Sequence, residues 1–273
     1  MIKTKNKYIA ALIRLFKVML IIYFTLFCIQ RYLIFPTYIA NSYKVGTPTE
    51  RNLTNFNQVT LVTSDGLKID AWEHAPSLNM PIILYLHGNG NNIAARSERY
   101  KNFVNAGYGI FAVDYRGYGN SEGSPSEEGL YKDARAAMNW LEQHYKTPIL
   151  IYGESLGTGV AVQMGLEYRV SGIILQSGYT SISDIAAENY WFLPVIKYLV
   201  LDKFDSLSKI SQIINPILII HGDIDNVIPI EHSRRLAAAN KEHTKFITAN
   251  GYGHMNIPDD FIITEMKKFF KIN

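Results

Sequence analysis

The sequence predicts an α/β domain: a mostly parallel sheet of about eight strands with helices on both faces, behind an N-terminal apolar helix. Three observations carry this. Short continuous apolar runs alternate with segments of helical periodicity, the pattern of strands buried on both sides. Each buried run ends abruptly in a turn carrying Gly, Asp or His. The 273 residues, 48% of them hydrophobic, suffice for one large core plus an extra segment.

The chain opens on that extra segment. Lys3, Lys5, Lys7, Arg14 and Lys17 precede Val18 to Ile29, a run without a charge. As a helix the run measures about 18 Å, short of the roughly 30 Å of a bilayer core. Extending it from Arg14 to Arg31, with the basic side chains reaching outward, brings it close to that thickness. No small residues stand at Ile29-Gln30-Arg31-Tyr32-Leu33 for signal-peptide cleavage, and Phe27 before Cys28 does not fit a lipoprotein signal. An uncleaved single-pass anchor over residues 1–35 is therefore expected. The basic start places the N-terminus in the cytoplasm and the remainder on the outer side.

Residues 36–57 are expected to be an irregular connector and 58–273 the globular domain. Val59 to Thr63 and Leu67 to Trp72 alternate around Asp65-Gly66, which predicts a hairpin. Pro81 to Leu86 is a buried strand leading into His87-Gly88-Asn89-Gly90-Asn91-Asn92, then a helix from Ala94 to Asn105. Gly109 to Val113 is the next strand. Ser126 to Tyr145 is a helix, with Glu127 and Glu128 at its positive N-terminal end. After a strand at 149–152 and a helix to Tyr168, Gly172 to Gln176 is another strand. The insert 177–215 is rich in aromatics and is expected to cap the strand ends, with Tyr179, Trp191 and Phe192 touching substrate. Pro216 to Ile220 is a strand, Ile230 to Asn240 a helix, Lys245 to Thr248 a short strand and Phe261 to Phe270 the last helix.

Composition narrows the chemistry. The net charge is only +3, and five positive charges lie in the first seventeen residues, so no basic face for a nucleic acid is expected. Cys28 is the single cysteine, which leaves no intrachain disulfide and no cysteine-based metal site. His74, His144, His232 and His243 read as surface residues, while His87 and His221 sit in His-Gly turns with structural hydrogen bonds. No pair has metal-ligand spacing, so neither a metal nor an organic cofactor is expected.

What remains is Gly153-Glu154-Ser155-Leu156-Gly157, between a buried strand and a helix. By itself the pattern also describes an ordinary strand-to-helix turn. In a nucleophile elbow, a strained turn lifts the serine hydroxyl above the sheet, and the flanking glycines avoid collisions with strand and helix. A serine needs a base to take its proton, and the base needs a carboxylate to orient it. Ser155 is followed by an acidic turn bearing Asp223 and Asp225, then by His254 after the last strand. Each sits just past the carboxyl end of a strand, where open α/β sheets hold ligands.

The stretches Gln30 to Pro36, LHGNGNN at 86–92, DYRGYGNSEGSPSEEGLY at 114–131, GESLG at 153–157 and HGDIDNVIP at 221–229 resemble the α/β-hydrolase superfamily, specifically its membrane-anchored branch. That resemblance implies esterase, lipase or acyl-thioesterase chemistry, with aminopeptidase-like labels also common. It aligns Asp225, rather than Asp223, as the acid. Ser155, Asp225 and His254 are then the expected triad. The oxyanion hole is expected from the backbone N–H groups of Leu156 and Asn89. The expected partner is an acyl ester or lipid-like small molecule. A non-catalytic binding or scaffold protein on the same fold is the alternative. Asp114 and Arg116 are expected to serve structure, as an ion pair or through turn hydrogen bonds. Glu154 is left between tuning the site and facing solvent.

Overall fold

The computed structural model describes residues 2–272. Met1 and Asn273, the ends of the expected anchor and catalytic segments, lie outside it, as do the side chains of Lys3 and Lys5.

Helix α1 runs Ile2–Ile34, well beyond the expected Arg14 to Arg31 core. Among the described residues, Lys7–Ala40 is the one helical stretch long and apolar enough to cross a membrane, with a mean hydropathy of 2.2 in its most apolar window. The connector is less irregular than expected. It contains helix α2 (Thr37–Ala40) and a short 3-10 turn at Thr49–Arg51. It is also tied down: Asn92 donates to the carbonyls of Ala40 and Tyr43, and Asn41 exchanges hydrogen bonds with Gly117 and Gly119.

The globular part follows as β1 (Asn57–Val62), β2 (Lys68–His74), β3 (Ile82–Leu86), α3 (Ser97–Asn105), β4 (Gly109–Val113), α4 (Glu127–His144), β5 (Ile149–Glu154), α5 (Leu156–Glu167), β6 (Gly172–Gln176), three short insert helices α6 (Ile182–Asn189), α7 (Ile196–Leu199) and α8 (Ser206–Ile210), then β7 (Ile217–Gly222), α9 (Glu231–Ala239), β8 (Thr244–Ala249) and α10 (Asp259–Phe270). The eight strands form one sheet in the order β1-β2-β4-β3-β5-β6-β7-β8. The β1–β2 and β2–β4 pairs are antiparallel and all later pairs parallel.

Every residue of β3, β4, β6 and β7 is buried, as continuous apolar runs require. Alternate residues serve opposite faces. Leu84, Ile151, Ile173 and Ile219 pack under α4, α5, α8 and α9, while Ile83, Tyr85, Tyr152 and Ile220 pack under α3 and α10. Helix α4 starts where Ser126 accepts the N–H of Gly129 and two glutamates occupy the first turn.

The order of strands locates the site. From β3 the chain crosses to β4 on one side, then returns past β3 to β5 on the other. That reversal leaves a crevice outside the carboxyl ends of β3 and β5, where doubly wound sheets bind ligands.

Candidate active site

Ser155 follows β5 directly and precedes α5. Its backbone stands at φ 51°, ψ −118°, a conformation costly for a residue with a side chain. The neighbours show why the turn holds. A Cβ on Gly153 would lie 2.6 Å from the Gly157 carbonyl oxygen, and one on Gly157 would overlap the Leu86 carbonyl. Strand, turn and helix approach that closely only with glycine at both positions. The turn is pinned further by the Ser155 N–H, which donates to the Gln176 carbonyl at 3.0 Å, and by Thr158 Oγ1, which donates to the Ser155 carbonyl at 2.6 Å.

Two loops bring partners to this hydroxyl. His254, after β8, sets its Nε2 2.9 Å from Ser155 Oγ and its Nδ1 2.7 Å from Asp225 Oδ2. A carboxylate can only accept, so Nδ1 carries the proton and Nε2 is free to take one from the serine. Asp225 is held in turn: its Oδ1 accepts the N–H groups of Val227 at 2.8 Å and Ile228 at 2.9 Å, and His221 Nε2 lies 3.1 Å from its Oδ2. Burial pushes the Asp225 carboxyl up, but the hydrogen bonds from His221, His254 and Ile228 outweigh it and hold the group well below the usual carboxylate range. Asp223 is exposed and accepts the Gly251 N–H at 2.6 Å, a bond within the turn that supports the His254 loop.

Leu156 opens α5, so its backbone N–H has no partner within the helix. Asn89 lies across Ser155 in the loop after β3, and its side-chain amide donates to the Ile34 carbonyl, at the end of α1, at 3.2 Å. Two cavities meet at Ser155 and Asn89. One, of about 260 Å³, is lined chiefly by apolar side chains from α1, the insert and the 227–228 turn, Tyr179 among them. The other, of about 480 Å³, is polar and takes in Arg96, Arg99, Glu154 and Asp259.

Several expected positions are corrected here. Tyr179 lines the apolar cavity, and its hydroxyl donates to the Leu156 carbonyl at 3.1 Å. Trp191 and Phe192 do not line it: they are 80% and 58% exposed. The insert folds as short helices, and α6 presents Ile182, Ile185 and Ala186 to the cavity, turning the aromatic corner after it outward. His232 is buried, not at the surface, because α9 packs it against the insert, where it meets Thr180 Oγ1 at 2.8 Å and Glu188 at 3.0 Å. His74 and His243 are half-buried, and His144 is exposed. Arg116 pairs with Asp133 and Asp65, not with Asp114, which instead accepts the Ile93 N–H at 2.8 Å. Glu154 is fully buried under Arg96 at 2.7 Å and Arg99 at 3.2 Å. Desolvation alone would raise its pKa, but the two guanidiniums bring it down to about 2.

Sequence reasoning missed Arg96, Arg99 and the α1 wall of the apolar cavity, since neither helix carries a local code for them. It also missed His221 beside Asp225. The one available signal was the His-Gly pair at a strand end, where a Cβ on Gly222 would overlap the Tyr252 carbonyl and so betrays the docked His254 loop.

Comparison with known proteins shows the family. A family model described as serine aminopeptidase, S33 (Hydrolase_4) matches residues 79–207. The α/β-hydrolase domain-containing protein WAV2 of Arabidopsis thaliana is 31% identical over 241 residues, 80% of this chain and 78% of WAV2. The lysophosphatidylserine lipase ABHD12 of Danio rerio is 29% identical over 277 residues, 83% of this chain and 72% of that protein. The crystal structure of an α/β-hydrolase from Vibrio vulnificus superposes with a TM-score of 0.72 at 23% identity, covering 88% of this chain and 90% of that one, and shares the fold. An elbow serine at a strand reversal, with kinship spread over most of the chain, has one consistent reading: the chain belongs to the α/β-hydrolase family, in its ABHD-type branch, and is a serine hydrolase of esterase or lipase type.

Proposed function

We propose that this protein is a membrane-anchored hydrolase that cleaves a lipid-like carboxylic ester or thioester through an acyl-enzyme on Ser155, His254 and Asp225. The observation that carries the reading is the unbroken relay from Ser155 Oγ to His254 Nε2 at 2.9 Å and from His254 Nδ1 to Asp225 Oδ2 at 2.7 Å.

Ser155 Oγ attacks the acyl carbonyl while His254 Nε2 takes its proton. The carbonyl oxygen becomes an anion, met by the backbone N–H groups of Leu156 and Asn89. Collapse of the intermediate breaks the bond to the leaving group, which departs with the proton from His254. Water then enters, gives a proton to His254 and attacks the acyl-enzyme; the fatty acid leaves and Ser155 regains its proton. Asp225 stays ionised throughout and stabilises the imidazolium that forms twice per cycle.

The two cavities support this substrate class. An apolar pocket on one side of Ser155 suits an acyl chain, and a polar one beside Arg96 and Asp259 suits a hydrophilic leaving group. The name of the ABHD12 relatives, lysophosphatidylserine lipase, supports a substrate of that amphipathic kind. For the anchor, the support is the apolar length of α1. The basic residues at its start argue for a cytoplasmic N-terminus and an outer catalytic domain.

A fluorophosphonate probe tests the nucleophile. The folded wild-type protein should be labelled and Ser155→Ala should not, with hydrolysis of a butyryl ester falling roughly a thousandfold or more in the variant. An unlabelled wild type refutes the assignment. Protease added outside intact cells should digest the Ser155 domain; full protection reverses the topology.

A further inference from the structure

The anchor helix does more than tether. We infer that the membrane-proximal end of α1 is a wall of the acyl site, so that the acyl chain reaches Ser155 from the bilayer along that helix; this rests on Ser155 being the nucleophile of a membrane-anchored hydrolase. Leu26, Gln30, Leu33 and Ile34 line the same cavity as Ser155 and Leu156. Without α1 the cavity would lack one side.

Depth is the decisive point. The charge-free run Val18 to Ile29 is the segment best suited to hydrocarbon, and at about 18 Å it has no length to spare. Leu26 lies inside that run and also lines the cavity. A residue at acyl-chain depth that also walls the pocket makes the pocket continuous with the outer leaflet.

The contacts around the helix hold it in register. Gln30 is buried, its amide donating to the Leu199 carbonyl at 3.3 Å and its carbonyl accepting the Leu201 N–H at 2.8 Å. One residue on, Arg31 pairs with Asp202 at 2.8 Å. Next to this clamp the insert exposes Trp191 (80%), Tyr198 (72%) and Phe192 (58%). Trp and Tyr favour the boundary between headgroups and hydrocarbon. The insert therefore rests on the lipid surface, about one turn of α1 above Leu26. The aromatics that do not enter the pocket place its mouth.

The test compares two faces of α1 in phosphatidylcholine vesicles, using the full chain. Leu26→Trp fills the cavity, whereas Phe24→Trp places the same indole on the opposite, exposed face (Phe24 is 70% exposed). The measured quantity is the ratio of kcat/KM for a palmitoyl ester to that for a butyryl ester. Losing room for two methylenes should lower the ratio about tenfold in Leu26→Trp. Phe24→Trp should leave the ratio within about twofold. An unmoved ratio in Leu26→Trp, or an equal shift in both variants, overturns the inference. A second measurement does not depend on turnover: a photoreactive palmitate in the vesicles should crosslink to residues 26–34 of the wild type and less to Leu26→Trp. Hydrolysis without that crosslink overturns the α1 wall and spares the nucleophile; the crosslink without hydrolysis or fluorophosphonate labelling does the reverse.

Discussion

The two halves of this site are built by opposite means. The half proposed to carry the catalysis hangs from the ends of buried strands. Ser155 follows β5, Asp225 follows β7 and His254 follows β8, each at a turn closed by backbone hydrogen bonds. The half proposed to hold the substrate is assembled from one long helix, α1, and two short ones, α6 and α7, tied by contacts such as Gln30 to the Leu199 carbonyl and Arg31 to Asp202. Strand ends in a packed sheet tolerate little displacement. An insert and an N-terminal helix docked on that sheet can change shape and substrate without disturbing the chemistry beneath. The comparison predicts large, all-or-none effects in the first half and graded ones in the second.

The sharpest way to break it is at the acid. Asp225→Asn should lower kcat for a butyryl ester roughly ten thousandfold, because an amide at Oδ2 no longer dictates which imidazole nitrogen carries the proton. Asp223→Asn touches only the turn bond to Gly251 and should cost less than about tenfold. Kinetics on both variants check this. Equal losses would mean that the turn as a whole, and not the Asp225 to His254 bond, governs the histidine.

Glu154 sharpens the comparison from the side of stability. It is buried between two arginines directly before Ser155, and its pKa of about 2 in the folded protein lies below its ordinary value of 4.5. A carboxylate whose pKa drops on folding contributes stability above its unfolded value. That contribution fades as pH falls from about 4.5 towards about 2. Glu154→Gln should therefore lower unfolding free energy at neutral pH by on the order of 3 kcal/mol. The gap between variant and wild type should close in acid. Urea unfolding at neutral pH and near pH 3 measures it; a gap that stays constant with pH would show that shape, not charge, is what Glu154 supplies.

The same contrast explains what could be read from the chain. Continuous apolar runs identify β3 to β7 because burial on both faces leaves no room for polar residues. Glycine at 153 and 157 announces the elbow because nothing else fits there. Chain order then supplies the rest of the relay. No such rule reaches the insert. Whether an aromatic in the corner after α6 turns inward depends on how α6 and α1, segments some 150 residues apart, wall one cavity between them, and no local pattern tells that Trp191 and Phe192 stay outside it. Arg96, in the turn just before α3, and Arg99, on α3, look like ordinary surface residues until Glu154 is found beneath them. His232 looks exposed until α9 meets the insert.

The smallest predicted effect is also the most discriminating for the substrate half. Replacing Trp191 and Phe192 together by alanine removes two exposed rings that touch neither Ser155 nor its cavity. In detergent, turnover of a butyryl ester should change by less than about twofold. On a palmitoyl ester held in vesicles the rate should fall severalfold, because the rings set how the insert rests on the lipid while α1 still holds the protein there. The loss stays modest for that same reason: a long apolar helix binds the bilayer far more strongly than two side chains do. A comparable loss on the soluble ester would put both rings in the pocket wall. An unchanged rate in vesicles would instead mean that α1 alone brings the cavity to the membrane.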